Sequence, residues 1–264
     1  MRFVTTTAGS IHWDATGPED GAPVLFSNSL GTDFRIWDKV LPLLPEGLRI
    51  IRYDKRGHGL SDCNGRFYNM SDHVADAAAV LEGAGVKDAV IVGLSIGGMI
   101  AQGLAAKHPD LIRGVVLCDT AAKIGTPGMW ADRIAAVEKG GIEALEDSIL
   151  ERWFSKRFHE EEKGELALWR NMLVRTSLDG YAGSSNAIAR ADFHNSTATL
   201  RIPAVALCGD EDGSTPPDLV RETVELIPGG NFHLIKGAGH LPCIEKPVET
   251  ANIISDFLKD IGHV

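Results

Sequence analysis

The chain has 264 residues, of which 44% are hydrophobic, and a formal net charge of −10 at pH 7. This length suits one large α/β domain or a domain with an insertion, and the apolar fraction is ample for a core. The acidic balance disfavours nucleic acid and anionic membrane surfaces as partners. No apolar run approaches the ~18 residues of a transmembrane helix, and the first residues lack the apolar stretch of a signal peptide, so we expect a cytoplasmic protein without membrane association.

Strand and helix patterns alternate along the first third of the chain. The predicted elements, in chain order, are strands 4–7 and 11–14, which form a hairpin, strand 24–26, a helix over 36–44, strand 50–53 and a helix over 70–83. Ser71 is the expected N-cap of the helix over 70–83. Strands that alternate with helices predict a mostly parallel sheet covered on both faces.

The most informative stretch is Gly93-Leu94-Ser95-Ile96-Gly97, which fits the G-x-S-x-G pattern. The apolar run 89–92 before it predicts a strand and the run 99–106 after it predicts a helix, which is the context of a nucleophile elbow. The two glycines leave room for the sharp bend. Ser95 is therefore the candidate nucleophile, and the N–H of Ile96 would face a developing oxyanion. The alternative is a strand-to-helix turn with an incidental serine.

A serine nucleophile needs a general base, and His240 is the predicted one. It follows the glycines of Gly237-Ala238-Gly239, on a loop between the predicted last strand, 232–235, and the predicted final helix, 248–261. His58 lies in an Arg-Gly-His-Gly turn, where we expect a structural role.

The base needs an orienting acid, for which Asp212 is the leading candidate. It lies in an acidic loop after the predicted strand 204–206. Asp210 in the same loop and Asp119 at the end of the strand 114–118 are the alternatives, with loop capping as their other role. All these positions follow the carboxyl ends of strands, where open parallel sheets place their chemistry.

The strand pattern disappears between residues 121 and 198. The helical spacing there predicts helices over 130–139, 142–154, 160–176 and 180–191. We therefore expect a helical cap, 121–198, inserted between core segments 1–120 and 199–264. A cap in this place would cover Ser95 and shape the substrate pocket.

The four cysteines are expected to be reduced and structural. Cys118 and Cys208 lie in apolar strands and Cys63 and Cys243 in loops, with no Cys-x-x-Cys spacing. We see no cluster with metal-ligand spacing, and we expect neither a metal nor a cofactor.

Four of these features together resemble the α/β-hydrolase superfamily over essentially the whole chain: the elbow, the Asp-x-x-Gly-x-Gly-x-Ser element of residues 54–61, Asp212 and His240. The resemblance implies an α/β-hydrolase fold, with a mostly parallel eight-stranded sheet, helices on both faces and an inserted helical cap. Within the superfamily, the sequence is similar to the 3-oxoadipate enol-lactonases of aromatic catabolism. The stretches that carry this narrower similarity are 27–32, 93–99, 121–126, 151–155 and 209–216.

The resemblance implies cofactor-free hydrolysis of a lactone. His240 would take the proton of Ser95, which attacks the lactone carbonyl, while Asp212 holds the imidazole. Many related hydrolases carry a His-Gly pair where this chain has Asn28-Ser29. By position, Leu30 would supply the second oxyanion N–H beside Ile96, and a backbone donor tolerates such side-chain variation.

The implied small-molecule substrate bears a free carboxylate, which a cation in the cap could bind. Arg133 is the candidate, on the same helical face as Trp130, and Arg152 and Arg190 are alternatives. Trp130 and Trp153 are candidates for lining the pocket. The other interpretation of these residues is helix packing or surface exposure.

Other functions fit the same motifs. One is hydrolysis of another small ester, or of a carbon–carbon bond beside a ketone, and a second is a perhydrolase side activity. A third, of another class, is a ligand-binding receptor that retains the fold and the triad of Ser95, His240 and Asp212 with negligible turnover. Serine at position 95 disfavours an aspartate-nucleophile dehalogenase.

Overall fold

The computed structural model describes all 264 residues, and its eight strands form one sheet in the order β1-β2-β4-β3-β5-β6-β7-β8. The strands are β1 Arg2–Thr6, β2 Gly9–Thr16, β3 Ala22–Ser27, β4 Leu48–Tyr53, β5 Ala89–Leu94, β6 Ile112–Cys118, β7 Ala204–Gly209 and β8 Asn231–Ile235. The pairs β1–β2 and β2–β4 are antiparallel, and all the others are parallel. The predicted mostly parallel sheet is confirmed.

Eleven α-helices accompany the sheet. They are α1 Met70–Ala84, α2 Ile96–Lys107, α3 Pro127–Gly140, α4 Glu146–Trp153, α5 Lys156–Glu161, α6 Lys163–Val174, α7 Leu178–Arg190, α8 His194–Thr197, α9 Pro217–Glu225, α10 Pro242–Glu245 and α11 Pro247–Asp260. None of them combines the length and the apolar composition that crossing a bilayer requires.

The central strands carry the core. Every residue of β5 and of β7 is buried, so both faces of the sheet are covered at these strands. A strand buried on both faces has a continuous apolar sequence instead of an alternating one, which is why Ala-Val-Ile-Val in β5 is readable as a strand. The parallel strands β5, β6 and β7 bring their carboxyl ends to one edge of the sheet.

Several local predictions are wrong. The predicted helix 36–44 is two short 3₁₀ turns, Phe34–Trp37 and Leu41–Leu43. Pro42 has no N–H to donate to a helical hydrogen bond, which breaks the predicted helix. The N-cap of α1 is Asn69 and not Ser71. The extended Asn69 donates its N–H to the Asp72 carboxylate at 2.7 Å, which leaves Ser71 inside the first turn.

Residues 121–198 form α3 to α8, with a 3₁₀ turn, and contain no strand. We refer to this part as the helical segment. The predicted helix 160–176 is divided between α5 and α6. Cys243, predicted in a loop, lies in the short helix α10. The helical segment touches the core closely, because a Cβ added to Gly57 would lie 2.3 Å from the Gly180 Cα.

Candidate active site

Ser95 lies at the turn between β5 and α2 in a strained backbone conformation, with φ 58° and ψ −119°. This part of φ/ψ space is costly for a residue with a Cβ and persists only where the surroundings impose it. The Ser95 N–H donates to the Cys118 carbonyl at 2.9 Å, and the Thr120 hydroxyl donates to the Ser95 carbonyl at 2.6 Å. The last residue of β6 and the loop directly after it therefore hold this residue in place.

The glycines of the motif are required by close backbone contacts. A Cβ on Gly93 would lie 2.3 Å from the Gly97 carbonyl oxygen, and one on Gly97 would lie 2.1 Å from the Ser27 carbonyl oxygen. Side chains at either position would push α2 away from β3 and β5. The elbow thus has the strand–turn–helix geometry that the G-x-S-x-G pattern predicts.

His240 and Asp212 are hydrogen-bonded to each other. The His240 Nδ1 lies 2.9 Å from the Asp212 Oδ2, and both side chains are buried. The Thr215 hydroxyl donates to the same Oδ2 at 2.7 Å, and the N–H groups of Ser214 and Thr215 donate to Oδ1 at 2.7 and 3.1 Å. A carboxylate so bound accepts the proton of Nδ1–H, which leaves the Nε2 lone pair of the ring free to act as a base.

The two alternative acids have other partners. The buried Asp119 accepts the Gly209 N–H at 2.9 Å and makes no hydrogen bond to His240. Burial, and next the charge of Asp212, raise the pKa of Asp119. Asp210 accepts the Gly237 N–H at 2.7 Å, which is the loop-capping role. Among the three candidate acids, only Asp212 forms a hydrogen bond with the His240 imidazole.

Ser95 and His240 line one cavity of about 320 Å³. The Ser95 hydroxyl makes no hydrogen bond within the protein, and Leu30 also lines the cavity. The N–H groups of Leu30 and Ile96 also have no protein acceptor. The Ile96 N–H is free because it is the first of α2. The arrangement offers two unpaired donors beside a free hydroxyl, which suits the stabilisation of an oxyanion.

His58 holds the Leu30 loop from behind. The Gly31 N–H donates to the His58 Nε2 at 3.0 Å, and the His58 Nδ1 lies 3.0 Å from the Arg56 carbonyl oxygen. Nδ1 is therefore the protonated nitrogen, and burial lowers the pKa of His58, which keeps the ring neutral. The structural role expected for His58 matches these contacts.

Two arginines from the helical segment line the cavity without a carboxylate partner. The Arg133 Nε donates to the Tyr181 hydroxyl at 2.8 Å, and its guanidinium lies 5.2 Å from the centre of the Trp130 ring. Burial, and next the charge of Arg133, lower the pKa of Arg152. An anionic ligand between the two guanidinium groups would relieve this repulsion.

The remaining candidates are divided between the cavity and the surface. Trp130 and Trp153 line the cavity, and the Trp130 indole donates to the Ile124 carbonyl at 2.7 Å. Arg190 lies outside the cavity lining and donates to the Tyr68 carbonyl at 2.6 Å. Sequence reasoning missed Tyr181, which has no motif around it. Arg152 was only an alternative to Arg133 as the predicted cation for the substrate carboxylate, although Arg152 lies within the enol-lactonase-like stretch 151–155.

A larger cavity of about 780 Å³ lies between the loop after β3 and α6, and it contains no triad residue. Its charged side chains largely neutralise each other, with Asp33 bound to Arg35 and Glu165 bound to Lys39. The smaller cavity is therefore the candidate active site.

A buried carboxylate connects the helical segment to the His240 loop. Glu245 accepts the Gly239 N–H at 2.7 Å and the Ser155 N–H at 3.2 Å, and it also binds the Ser155 hydroxyl. Ser155 follows α4, and Gly239 directly precedes His240. One side chain thus links the position of α4 to that of the imidazole.

We expect Glu245→Ala to lower the free energy of unfolding by about 3 kcal/mol, because the substitution leaves buried donors without an acceptor. Urea unfolding measures this loss. The control is Glu222→Ala on the exposed face of α9, which should leave the free energy of unfolding unchanged. Equal free energies of unfolding for Glu245→Ala and Glu222→Ala would contradict the linking role of Glu245.

A family model described as the alpha/beta hydrolase family matches residues 24–253. The chain belongs to this family. It is 33% identical over 247 residues to 3-oxoadipate enol-lactonase 1 of Acinetobacter baylyi, covering 93% of this chain and 91% of that one. The enol-lactonase of Burkholderia xenovorans LB400 has a similar structure, with a TM-score of 0.94, 32% identity and coverage of 98% and 100%.

An esterase also has a similar structure. The thermophilic esterase of Thermogutta terrifontis, solved with malate bound, has a TM-score of 0.91 and 27% identity, covering 100% of this chain and 99% of that one. The α/β-hydrolase fold and the resemblance to enol-lactonases are thus confirmed, and the chain is a member of a hydrolase family.

Proposed function

We propose that this protein hydrolyses 3-oxoadipate enol-lactone to 3-oxoadipate through an acyl-enzyme on Ser95, as a cytoplasmic step of aromatic catabolism. The observation that carries the proposal is that two guanidinium groups without a carboxylate partner, those of Arg133 and Arg152, line the same cavity as Ser95 and His240. A cavity of about 320 Å³ suits a small ligand, and its cations suit a lactone that bears a carboxylate. Relatives that are enol-lactonases support this substrate.

The proposed reaction uses these groups in the following order. The His240 Nε2 takes the proton of the Ser95 hydroxyl, and Oγ attacks the lactone carbonyl carbon. The N–H groups of Leu30 and Ile96 bind the resulting oxyanion, and Asp212 stabilises the imidazolium. Collapse breaks the ring C–O bond, and the leaving enolate receives the proton from His240 and tautomerises to the ketone. A water molecule deprotonated by His240 then hydrolyses the acyl-enzyme.

We also propose that the helical segment acts as a cap, which supplies the groups that select the substrate. Arg133, Trp130 and Trp153 from this segment line the cavity that holds Ser95. In this arrangement the core supplies the bond-breaking groups and the helical segment binds the substrate carboxylate. Neither a metal nor a cofactor takes part in these steps.

A second candidate is hydrolysis of another small carboxylate-bearing ester. The similarity to the malate-bound esterase of Thermogutta terrifontis favours it, because the same fold holds a dicarboxylate there. The two candidates share every catalytic group and differ only in the shape of the substrate.

The test follows the ultraviolet absorbance of the enol-lactone, with p-nitrophenyl acetate as a substrate that lacks a carboxylate. We expect Arg133→Gln to raise KM for the lactone by about 10- to 100-fold, because the substrate carboxylate loses one charge-assisted hydrogen bond. The KM for p-nitrophenyl acetate should not change comparably, because this ester has no carboxylate. Arg190→Gln, outside the cavity, is the matched control and should leave both KM values unchanged.

An unchanged lactone KM in Arg133→Gln would remove Arg133 from the substrate site. A wild-type protein that cleaves p-nitrophenyl acetate but does not open the lactone would replace the first candidate with the second. A wild-type protein that cleaves neither ester but binds a small carboxylate would support the receptor instead.

A further inference from the structure

Lys55 is a fully buried lysine behind the loop that carries the Leu30 N–H. Its side chain lies in the turn after β4, and the residue is 0% exposed. The Nζ donates to the Ser29 carbonyl oxygen at 2.7 Å and lies 3.5 Å from the Thr32 carbonyl oxygen. It forms no salt bridge, since no carboxylate oxygen lies within 4.0 Å of it. A buried ammonium ordinarily has a carboxylate partner, whereas this one is directed at the backbone of residues 28–33, which we call the oxyanion loop.

The Ser29 carbonyl and the Leu30 N–H are the two ends of one peptide group. Resonance couples the two ends, and a charge-assisted hydrogen bond to the oxygen favours the form with positive charge on nitrogen. The N–H then becomes a stronger donor, as in other polarised hydrogen-bond chains. We propose that Lys55 is a positioning residue whose ammonium orients and polarises the Ser29–Leu30 peptide, so that the Leu30 N–H stabilises the oxyanion. The inference rests on the acyl-enzyme mechanism proposed above.

The other side-chain hydrogen bonds to residues 29–32 are uncharged. The Asn28 amide donates to the Thr32 carbonyl at 2.6 Å, and the Thr32 hydroxyl donates to the Ser29 carbonyl at 2.8 Å. The Gly31 N–H is held by His58. Lys55 therefore supplies the charge, while the shape of the loop has several independent supports. A methionine at position 55 has an unbranched stem of similar length, so Lys55→Met should fold and remove mainly the charge.

The charge of Lys55 changes near neutral pH. Burial lowers the pKa of Lys55 to about 7, against the opposing effect of Asp54 and Asp33. The charged and titratable groups that face it come from its own turn, from the oxyanion loop and from α1: Asp54, Arg56, His58, Asp33 and His73. Burial lowers the pKa values of both histidines, and Arg56 is paired with Asp76. The polarising ammonium is therefore present below pH 7 and is lost as the pH rises through that value.

Isotope labelling can observe this one peptide directly. The chain contains two Ser-Leu pairs, Ser29-Leu30 and Ser177-Leu178, so carbonyl-¹³C serine with ¹⁵N leucine produces two coupled amide signals. We expect the Leu30 ¹⁵N shift to titrate with a midpoint near pH 7 in the wild type and to be flat in Lys55→Met. Leu178, at the start of α7, should be flat in both. A Leu30 ¹⁵N shift that is the same in the wild type and in Lys55→Met at every pH, or a titration retained in Lys55→Met, overturns the proposal.

Hydrolysis of p-nitrophenyl acetate gives the second readout. At pH 6 we expect Lys55→Met to lower kcat and kcat/KM equally, by about tenfold. This loss is smaller than the ~10²- to 10³-fold loss in kcat that follows deletion of an oxyanion donor. The two rate profiles should converge above pH 7, and the exposed control Lys87→Met should match the wild type. Wild-type rates in a folded Lys55→Met overturn the proposal. A wild-type protein that hydrolyses neither ester refutes the proposed function instead. The Leu30 titration then tests by itself whether Lys55 polarises the Ser29–Leu30 peptide.

Discussion

Replacement of Ser95 by alanine is expected to lower kcat for the lactone and for aryl esters by about 10⁴-fold or more, with the fold unchanged. The Ser95 hydroxyl makes no hydrogen bond within the protein, so its removal leaves no buried partner unsatisfied. Alanine also keeps the same Cβ at the strained φ of 58°. The loss is therefore chemical: no other hydroxyl is held at the elbow beside two free N–H groups.

Ser148→Ala is the matched control for this prediction. Ser148 lines the same cavity, and its hydroxyl donates to the Leu145 carbonyl at 3.0 Å. We expect this variant to keep kcat within a few-fold of the wild type. Absorbance assays give kcat, and circular dichroism melting shows that both variants fold. If Ser95→Ala retained turnover, water activated directly by His240 would have to replace the acyl-enzyme.

Asp212→Asn is expected to lower kcat by about 10⁴-fold. The asparagine would turn an N–H toward the His240 Nδ1 or leave it with a weaker acceptor, which favours the tautomer with the proton on Nε2. A ring protonated at Nε2 cannot accept the Ser95 proton. The three donors on the Asp212 carboxylate, from Ser214 and Thr215, also lose an ionised partner.

Asp119→Asn is the control that separates the two candidate acids. The carboxyl group of Asp119 accepts the Gly209 N–H, and burial raises the pKa of Asp119. We therefore expect a neutral amide of the same shape at this position to lower kcat by less than about tenfold. Both variants are compared with the wild type by kcat at one pH. An equal loss in the two would assign Asp119 a direct part in orienting His240.

Some features of this site are encoded locally, and the sequence was sufficient for them. The elbow is one, because its geometry depends on backbone contacts of Gly93 and Gly97 that no other residue type permits. The strands β5 and β7 are another, because burial on both faces leaves a continuous apolar run. By contrast, Pro42 and the Asn69 cap show that helix ends depend on single residues, whose effect the periodicity does not include.

The selection among like residues required the tertiary structure. Asp119 and Asp212 both follow the carboxyl ends of neighbouring strands, and only their loops decide which one bonds to His240. Arg133 and Arg152 become a pair only when α3 and α4 line one cavity.

The sequence by itself determined the fold class and the candidate nucleophile, because these depend on local backbone sterics and on patterns of burial, and its motifs were sufficient for the resemblance to the family. The contacts of Lys55 were decided only by the tertiary structure. A lysine in a sequence is expected at the surface. Lys55 is buried against the Ser29 carbonyl because the turn after β4 packs behind a loop more than twenty residues away in the chain. Contacts between distant segments depend on how the sheet orders its strands, and residue pattern does not specify that order.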